Sequence, residues 1–348
     1  MARIAVIPGD GIGTEVLEQG VRVLEHLAPA EGLAFDWNWL PYGADRYLET
    51  GVSITSDEMQ ALERDHDAIY LGALGDPRVK SNQHAKDILL GMRFELDLFI
   101  NLRPCKLLDA RYCPLKGKGP EDLRFTVFRE NTEGLYTGVG GQFKRGTSDE
   151  VAIEAELNTR KGVERIVRAA YAFADERGLR RVCMSDKSNA MRHGHDLWQR
   201  VWREVAAEYP GVESRHLYVD ALCMELVRAP ESFDVIVTNN LFGDIVTDLG
   251  AQLQGGIGLA ASGNLHPGKV AMFEPVHGSA PPLAGKGVAN PLAAVLSAGM
   301  MVGWLGRPDL EDRLEVAVGK CLQAGRVTGE LGGDLCTTAA ADAVISYL

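Results

Sequence analysis

The chain has 348 residues, of which 46% are hydrophobic and 24% charged, and its formal net charge is -12. That length exceeds one small core and calls for two domains or one large interrupted domain. So acidic a balance excludes a nucleic-acid binder, because phosphate binding needs a positive surface, while a local basic pocket for a carboxylated ligand stays open.

Arg3-Ile-Ala-Val-Ile-Pro8 reads as a short buried strand, so no signal peptide is expected, and no apolar run has the length of a membrane span. Gly9-Asp-Gly-Ile-Gly13 follows and opens a helix. Its spacing is G-x-G-x-G, not the G-x-G-x-x-G of a dinucleotide fingerprint, and a tight glycine turn capping a helix explains it as well. Leu33, Phe35, Trp37 and Trp39 alternate with polar residues as in a half-buried strand, and Ala68-Ile-Tyr-Leu-Gly72 is a strand ending in a glycine turn. In Asp87-Ile-Leu-Leu-Gly-Met-Arg93, helical spacing puts Leu89 and Leu90 on the face of Arg93. These leucines are either core or the apolar wall of a pocket.

Arg103 lies in Asn101-Leu-Arg-Pro104 and Arg129 in Phe128-Arg-Glu-Asn-Thr-Glu-Gly-Leu-Tyr136. A guanidinium fork suits carboxylates, although each arginine taken singly reads as an ion-pair or surface residue. Tyr136 and Lys187 fall at turns where a phenol and an amine can exchange protons if their pKa values are shifted, and alone they read as structural. Residues 137–151 are Gly-rich and polar, and the alternating run Val151-Ala-Ile-Glu-Ala-Glu-Leu157 follows. Together they predict a projecting β-arm whose edges need a partner, hence a homodimer. A helix through Val163, Ile166, Val167, Ala170, Phe173 and Ala174 stops at Gly178, and strands are predicted at 181–184, 215–219 and 235–238, each followed by a helix. Arg192-His-Gly-His195 reads as a surface H-x-H at a helix start, and the last third is helical over 291–304, 310–324 and 337–348. Alternating strands and helices define the class as α/β. The six cysteines (Cys105, Cys113, Cys183, Cys223, Cys321, Cys336) show no C-x-x-C pair, so buried free thiols in a reducing, cytoplasmic setting are expected.

Asp220 closes an apolar run, and Asp244 and Asp248 lie four apart on one face of the helix that follows Asp234-Val-Ile-Val-Thr-Asn-Asn240. Three hard oxygen donors without Cys or His suit Mg²⁺ or Mn²⁺; the bland alternative is a pair of solvated helix acids.

In order along the chain stand Pro8-Gly-Asp-Gly-Ile-Gly13, Asn101-Leu-Arg-Pro104, Arg129-Glu-Asn-Thr-Glu-Gly134, Asp186-Lys-Ser-Asn189 and Asn240-Leu-Phe-Gly-Asp244. Phe273-Glu-Pro-Val-His-Gly-Ser-Ala-Pro281 and Ala284-Gly-Lys-Gly-Val-Ala-Asn-Pro291 complete the set. From first block to last, the chain resembles the metal-dependent β-decarboxylating dehydrogenases, whose members act on isocitrate, 3-isopropylmalate, homoisocitrate, tartrate or D-malate. The resemblance implies two α/β domains, with 1–98 and 255–348 forming a discontinuous cofactor domain whose site is not a Rossmann crevice. Residues 99–254 form the other domain, with the dimer contact and the arm. It further implies Mg²⁺ or Mn²⁺ on Asp220, Asp244 and Asp248, with Asp220 supplied by the other subunit beside the substrate. Lys187 then takes the hydroxyl proton, Tyr136 protonates the enol left by CO₂ loss, and Arg93, Arg103 and Arg129 clamp the substrate carboxylates.

The same resemblance assigns the cofactor to His277, Gly278, Ser279, Ala280, Leu283, Ala289 and Asn290, with Asn189. Pro282 departs from the pattern: NAD-using members carry an aspartate there for the ribose hydroxyls, and NADP users a Lys-Tyr pair where this chain has Pro282-Leu283. With no added cation, and with Leu283 and Ala289, NAD is expected. Leu89 and Leu90 replace the Ser and Asn of well-known isocitrate enzymes and leave a carboxylate unpaired, which implies 3-isopropylmalate. Tartrate and D-malate enzymes share the leucine pair and are the alternative, with isocitrate and homoisocitrate behind them. Lys86 stands where many isopropylmalate enzymes carry a glutamate. A catalytically silent regulatory subunit is disfavoured, because Tyr136, Lys187 and all three aspartates are present.

Overall fold

A computed structural model describes residues 1–348. The strands are β1 (Ala2–Gly9), β2 (Phe35–Trp39), β3 (Ala68–Ala73), β4 (Ile100–Lys106), β5 (Arg124–Glu130) and β6 (Gly140–Phe143). They continue with β7 (Val151–Glu154), β8 (Arg181–Asp186), β9 (Glu213–Tyr218), β10 (Val235–Thr238), β11 (Ala261–Leu265) and β12 (Ala271–Pro275). The chain divides into two compact units, one of Met1–Leu98, Lys106–Leu123 and Ala251–Leu348, the other of Phe99–Cys105 and Arg124–Gly250.

The first unit orders its strands β2-β1-β3-β12-β11, parallel except for the β11–β12 pair. Ile4, Ala5, Val6 and Ile7 are fully buried, as a parallel strand covered on both faces requires. Helix Leu292–Trp304 is apolar nearly all round and buried along most of its length, so it serves as core. It is tied to β3 by the Tyr70 hydroxyl, which donates to Ala294 O at 2.7 Å. At the N-terminal turn Gly9 and Gly11 take positive φ, and a Cβ on Gly11 would lie 2.0 Å from Ser279 O. This resolves the ambiguity of G-x-G-x-G: the glycines let the turn press against the 277–290 loop, with Ile12 N donating to Ser279 O at 2.8 Å.

The second unit orders β4-β5-β10-β8-β9, with β5, β10, β8 and β9 parallel. Thr238 pairs with Arg129 on one side and Ser185 on the other, so the carboxyl ends of β5, β10 and β8 finish in one row. Ligands of open α/β sheets gather at such a row, and the residues just beyond it are Lys187 and Asn240. Helix Arg160–Glu176 buries Val163, Ile166, Val167, Ala170 and Ala174, and Thr159 caps it by accepting from Gly162 N. β6 and β7 form the predicted antiparallel arm, exposed along its whole length.

Three readings change. Val219 is not strand: β9 ends at Tyr218, and Asp220 sits in the first turn of helix Val219–Arg228. His195 is not a surface residue but fully buried, whereas His193 is exposed. Of the six thiols three are buried and Cys336 is exposed, so burial is less general than expected. Burial pushes Cys105 and Cys183 up to about 12 and Cys321 up to about 11, which keeps those three protonated and inert at neutral pH.

Candidate active site

In the second unit helix Asn240–Leu253 begins immediately after β10, and Asn239 Oδ1 accepts from Phe242 N at 2.9 Å to start it. Asp244 is the hub. One carboxylate oxygen receives Arg129 Nη1 at 2.5 Å and faces Arg103 Nη1 at 3.5 Å, and the other accepts the Tyr136 hydroxyl at 2.7 Å. Arg103 Nη1 also donates to Thr247 Oγ1 at 2.6 Å and lies 3.9 Å from Asp248, whose side chain is 60% exposed. Arg129 is buried and gives Nε and Nη2 to Asn240 Oδ1 at 3.0 and 2.7 Å. Its stem lies so close to the helix that only glycine fits at position 243.

Partial burial raises the Asp248 pKa, the Asp244 charge adds to this, and Arg103 and Arg129 oppose it. Two carboxylates one helical turn apart therefore resist joint ionisation, a condition a divalent cation relieves. The donors are hard oxygens, as Mg²⁺ and Mn²⁺ prefer. No three metal-ligating side chains meet within the chain. Asp220 is thus not gathered with Asp244 and Asp248 within one protomer, as the expectation that another subunit supplies it requires, and Asp244 and Asp248 stand as a pair.

Asp220 pairs instead with Lys187 Nζ at 2.6 Å, and that hydrogen bond first of all holds its carboxyl below the usual range. Lys187 follows β8 directly, with its ammonium 5.9 Å from the centre of the Tyr218 ring. The preceding Asp186 is buried and accepts from His216 Nε2 and Gln199 Nε2 at 2.8 Å and from Ser188 N at 3.0 Å. Burial works to raise the Asp186 pKa, and these bonds outweigh it. In Arg129-Glu-Asn-Thr-Glu-Gly134, Glu130 accepts from Thr132 N at 2.9 Å and Glu133 N at 2.8 Å, and Asn240 Nδ2 donates to Glu133 O at 2.9 Å. The motif's acids fold the loop that delivers Tyr136.

In the first unit Arg93 is buried and pairs with Glu274 Oε1 at 3.0 Å, which also accepts from Asn264 Nδ2 at 2.9 Å. α-Helical spacing predicts a shared face for Leu89, Leu90 and Arg93, but Lys86–Leu90 is a π-turn. Leu89 packs on the core of Ile7, Met59 and Met92, and Leu90 is half-buried outside that cluster. A cavity of about 770 Å³, well sized for a nucleoside, is lined by His277, Gly278, Ala280, Leu283, Ala289 and Asn290. Ile12, Gly258, Glu330 and Asp334 also line it. Ser279 faces a second hollow beside Gly75 and Asn82, and Asn189 belongs to the other unit and lines neither. The Asn290 side chain is engaged with Gly258 O at 3.2 Å and Leu292 N at 3.1 Å, so it shapes the wall. His277 has its pKa lowered by burial. Its Nδ1 is 3.1 Å from Gly278 O and must donate, which leaves Nε2 a buried acceptor with no partner. That orphan acceptor in an apolar cleft fits a heteroaromatic ligand with an N–H to give.

Residues not anticipated are Glu274, Glu330, Asp334, Thr247, Asn239 and Glu156. Glu274, Asn239 and Glu156 lie inside segments with a sequence signature, but nothing local marks these residues, or Glu330, Asp334 and Thr247, as part of a site.

The family model described as isocitrate/isopropylmalate dehydrogenase matches residues 3–344. A 3-isopropylmalate dehydrogenase of Thermobifida fusca is 47% identical over 341 residues, covering 96% of each chain. One from Streptomyces coelicolor is 46% identical, covering 97% of this chain and 98% of its own. Among solved structures, the isocitrate dehydrogenase of Methylococcus capsulatus superposes with a TM-score of 0.89 at 34% identity, covering 100% of this chain and 99% of its own. A beta-decarboxylating dehydrogenase of Thermococcus kodakarensis gives 0.81 at 36% identity, with 100% and 96% covered. With residues 3–344 matched by the family model and relatives 46–47% identical over nearly all of it, the chain belongs to the isocitrate/isopropylmalate dehydrogenase family.

Proposed function

We propose that this chain oxidises and decarboxylates (2R,3S)-3-isopropylmalate to 4-methyl-2-oxopentanoate with NAD and Mg²⁺ or Mn²⁺, a step of leucine biosynthesis in the cytoplasm. The carrying observation is the Asp244 hub, where a carboxylate, two arginines and the Tyr136 hydroxyl converge beside a second carboxylate with a raised pKa. NAD, held by the residues lining the His277–Asn290 cavity, would supply the hydride acceptor, and a divalent cation held by Asp244 and Asp248 would supply Lewis acidity.

This chain's residues do the rest. As the free amine, Lys187 Nζ takes the 2-hydroxyl proton, and the Asp220 carboxylate at 2.6 Å compensates the ammonium that results. Arg103 and Arg129 hold a substrate carboxylate, giving orientation and charge compensation. After CO₂ leaves, the Tyr136 hydroxyl returns a proton to C3. Asp244 accepts from that hydroxyl and so aims its oxygen.

The homodimer reading draws support from exposed apolar side chains on the arm, Phe143 at 67% and Ile153 at 62%, and on two helices of the same unit, Met224 at 73% and Ile245 at 52%. Met224 shares its helix with Asp220, and Ile245 adjoins Asp244. A partner seated on those helices brings Asp220 to a neighbour's Asp244 and Asp248, and Lys187 travels with Asp220. No helix is long and apolar enough to cross a membrane. NAD is favoured over NADP because Glu330 and Asp334 put carboxylates on the nucleoside cavity while no cation lines it.

Leu89 packing on the core leaves Leu90 as the main apolar contact, the observation that keeps D-malate and tartrate in competition. NAD reduction with Mn²⁺ is to be compared on 3-isopropylmalate, D-malate, tartrate and isocitrate. A kcat/KM at least tenfold higher for 3-isopropylmalate, about 1.4 kcal/mol, supports the reading. Higher efficiency on D-malate or tartrate replaces it.

A further inference from the structure

Lys187 is anchored through its backbone as well as its side chain. Its N–H donates to His195 Nδ1 at 2.7 Å. A peptide N–H cannot accept, so Nδ1 carries the lone pair and the imidazole proton sits on Nε2. Nε2 donates to Glu156 Oε2 at 3.0 Å, and the other oxygen of Glu156 accepts from Asn239 Nδ2. Asn239 is the residue whose Oδ1 starts the helix carrying Asp244 and Asp248. One buried carboxylate thus links the backbone of Lys187 to the first turn of the acidic helix.

The surroundings leave this geometry little freedom. The His195 side chain is 0% exposed and that of Glu156 7%. The Phe242 ring meets the imidazole at 5.6 Å, centre to centre and edge-on. A Cβ at Gly194 would lie 2.6 Å from Asn158 Nδ2, whose Oδ1 accepts from the buried Trp198 at 2.8 Å. Burial works to raise the Glu156 pKa, yet the bonds from His195 and Asn239 outweigh it and keep the carboxyl below its usual range. Glu156 is therefore an anion that both neighbours need as acceptor.

Glu156 also ties this network to the arm. It lies just past β7 on the return leg, and Tyr136 lies just before β6 on the outgoing leg. The legs are joined at their base by Gly134 N to Leu157 O at 2.8 Å and Ala155 N to Val139 O at 2.7 Å.

We propose that His195 and Glu156 are positioning residues for Lys187: His195 fixes the peptide that carries the lysine, and Glu156 braces His195 against the arm base and the start of the acidic helix. The inference rests on the reading of Lys187 as the proton acceptor. A displacement of about 1 Å in such a group costs about a hundredfold in rate.

The test compares His195→Ala, His195→Asn and His195→Gln in the full-length protein. Asparagine offers an acceptor near the place of Nδ1, while glutamine reaches toward Glu156 and offers nothing to Lys187 N. The expected result is a fall in kcat of about ten- to a hundredfold for Ala and Gln and of only about threefold for Asn, with KM for 3-isopropylmalate within about twofold of the parent throughout. Equal losses in Asn and Gln, or losses carried by KM or by the folded fraction in circular dichroism, overturn the proposal. A second readout needs no turnover: acetic anhydride labelling of Lys187, measured by peptide mass spectrometry against Lys161. Labelling must rise in Ala and Gln and stay at the parent level in Asn, and an unchanged Lys187 in all three refutes the pinning. A parent that oxidises none of the four hydroxy acids sinks the functional reading, while the labelling still decides the positioning claim.

Discussion

Gly243→Ala is the sharpest probe of the Asp244 hub, because two effects of opposite sign compete at a helical glycine. Alanine in a helix interior gains about 1 kcal/mol over glycine. Against this, an added Cβ would lie 2.5 Å from Arg129 Cγ, 2.7 Å from its Cβ and 3.0 Å from its Cδ. These atoms are the stem of a buried side chain, not a flexible tip, so the guanidinium must move with them. Overpacking costs about 1–3 kcal/mol, and weakening a hydrogen bond to a charged group costs about 1.5–3 kcal/mol more. Steric cost wins, and a net destabilisation of about 1.5–5 kcal/mol is expected in urea unfolding. Because the displaced group is proposed to grip a substrate carboxylate, kcat/KM for 3-isopropylmalate should fall by about ten- to a hundredfold. Gly211→Ala is the control, since nothing lies within 4 Å of its added Cβ. A Gly243→Ala protein matching the control in both midpoint and kcat/KM would show that Arg129 is not wedged against the helix.

Asp10 accepts from Ala44 N at 2.6 Å, Gly75 N at 2.7 Å and His84 Nε2 at 2.8 Å in a buried setting. Asp10→Ala orphans all three donors, so a loss of about 3–5 kcal/mol in urea unfolding is expected, and a loss under about 1 kcal/mol contradicts the network. The raised Asp248 pKa means that its ionised form is disfavoured in the folded chain, so its contribution to stability is lost as pH rises through that pKa. Asp248→Asn should then stabilise the metal-free protein near neutral pH by no more than about 0.5 kcal/mol, given its exposure, with the gain vanishing once pH is below the unfolded value. In the parent, Mn²⁺ at about a hundred times its Kd should add about 2.7 kcal/mol, and an equal increment in Asp248→Asn would remove Asp248 from the metal shell. Glu330→Gln combined with Asp334→Asn strips both carboxylates from the nucleoside cavity. Calorimetric titration should show the ratio of NADP to NAD dissociation constants shrinking by about tenfold, and an unchanged ratio places the selectivity elsewhere.

Elements with a strong local signature are legible in the sequence alone. Continuous apolar runs specified β3 and β10, and the Gly-rich stretch followed by strict alternation specified the arm, since few other structures accommodate either pattern. Boundaries failed where the decisive interaction is not periodic. Val219 extends an apolar run, yet the chain turns helical there because Tyr218 stays extended and Asp220 supplies first-turn acid. The face shared by Leu89, Leu90 and Arg93 was read from a 3.6-residue repeat that the π-turn at Lys86–Leu90 interrupts.

The site divides along a different line. Residues proposed to touch the reacting atoms, such as Arg103, Arg129, Tyr136, Lys187 and Asp244, sit in compact motifs where chemistry restricts the residue type, so a motif reveals them. Residues that hold those groups answer only to geometry, and any donor or acceptor in the right place suffices. His195 looked like half of a surface H-x-H because its acceptor, Glu156, lies 39 residues away on the arm. Glu330 and Asp334 escaped notice because they reach the nucleoside cavity from beyond helix Pro308–Gln323. Under the proposed NAD reading the departure at Pro282 gains its meaning from them: the carboxylate missing from the expected loop has counterparts in Glu330 and Asp334 on the same cavity. Specificity in such a cavity is a property of the assembled surface, so one substituted motif residue does not predict a changed cofactor until every segment lining the wall is counted.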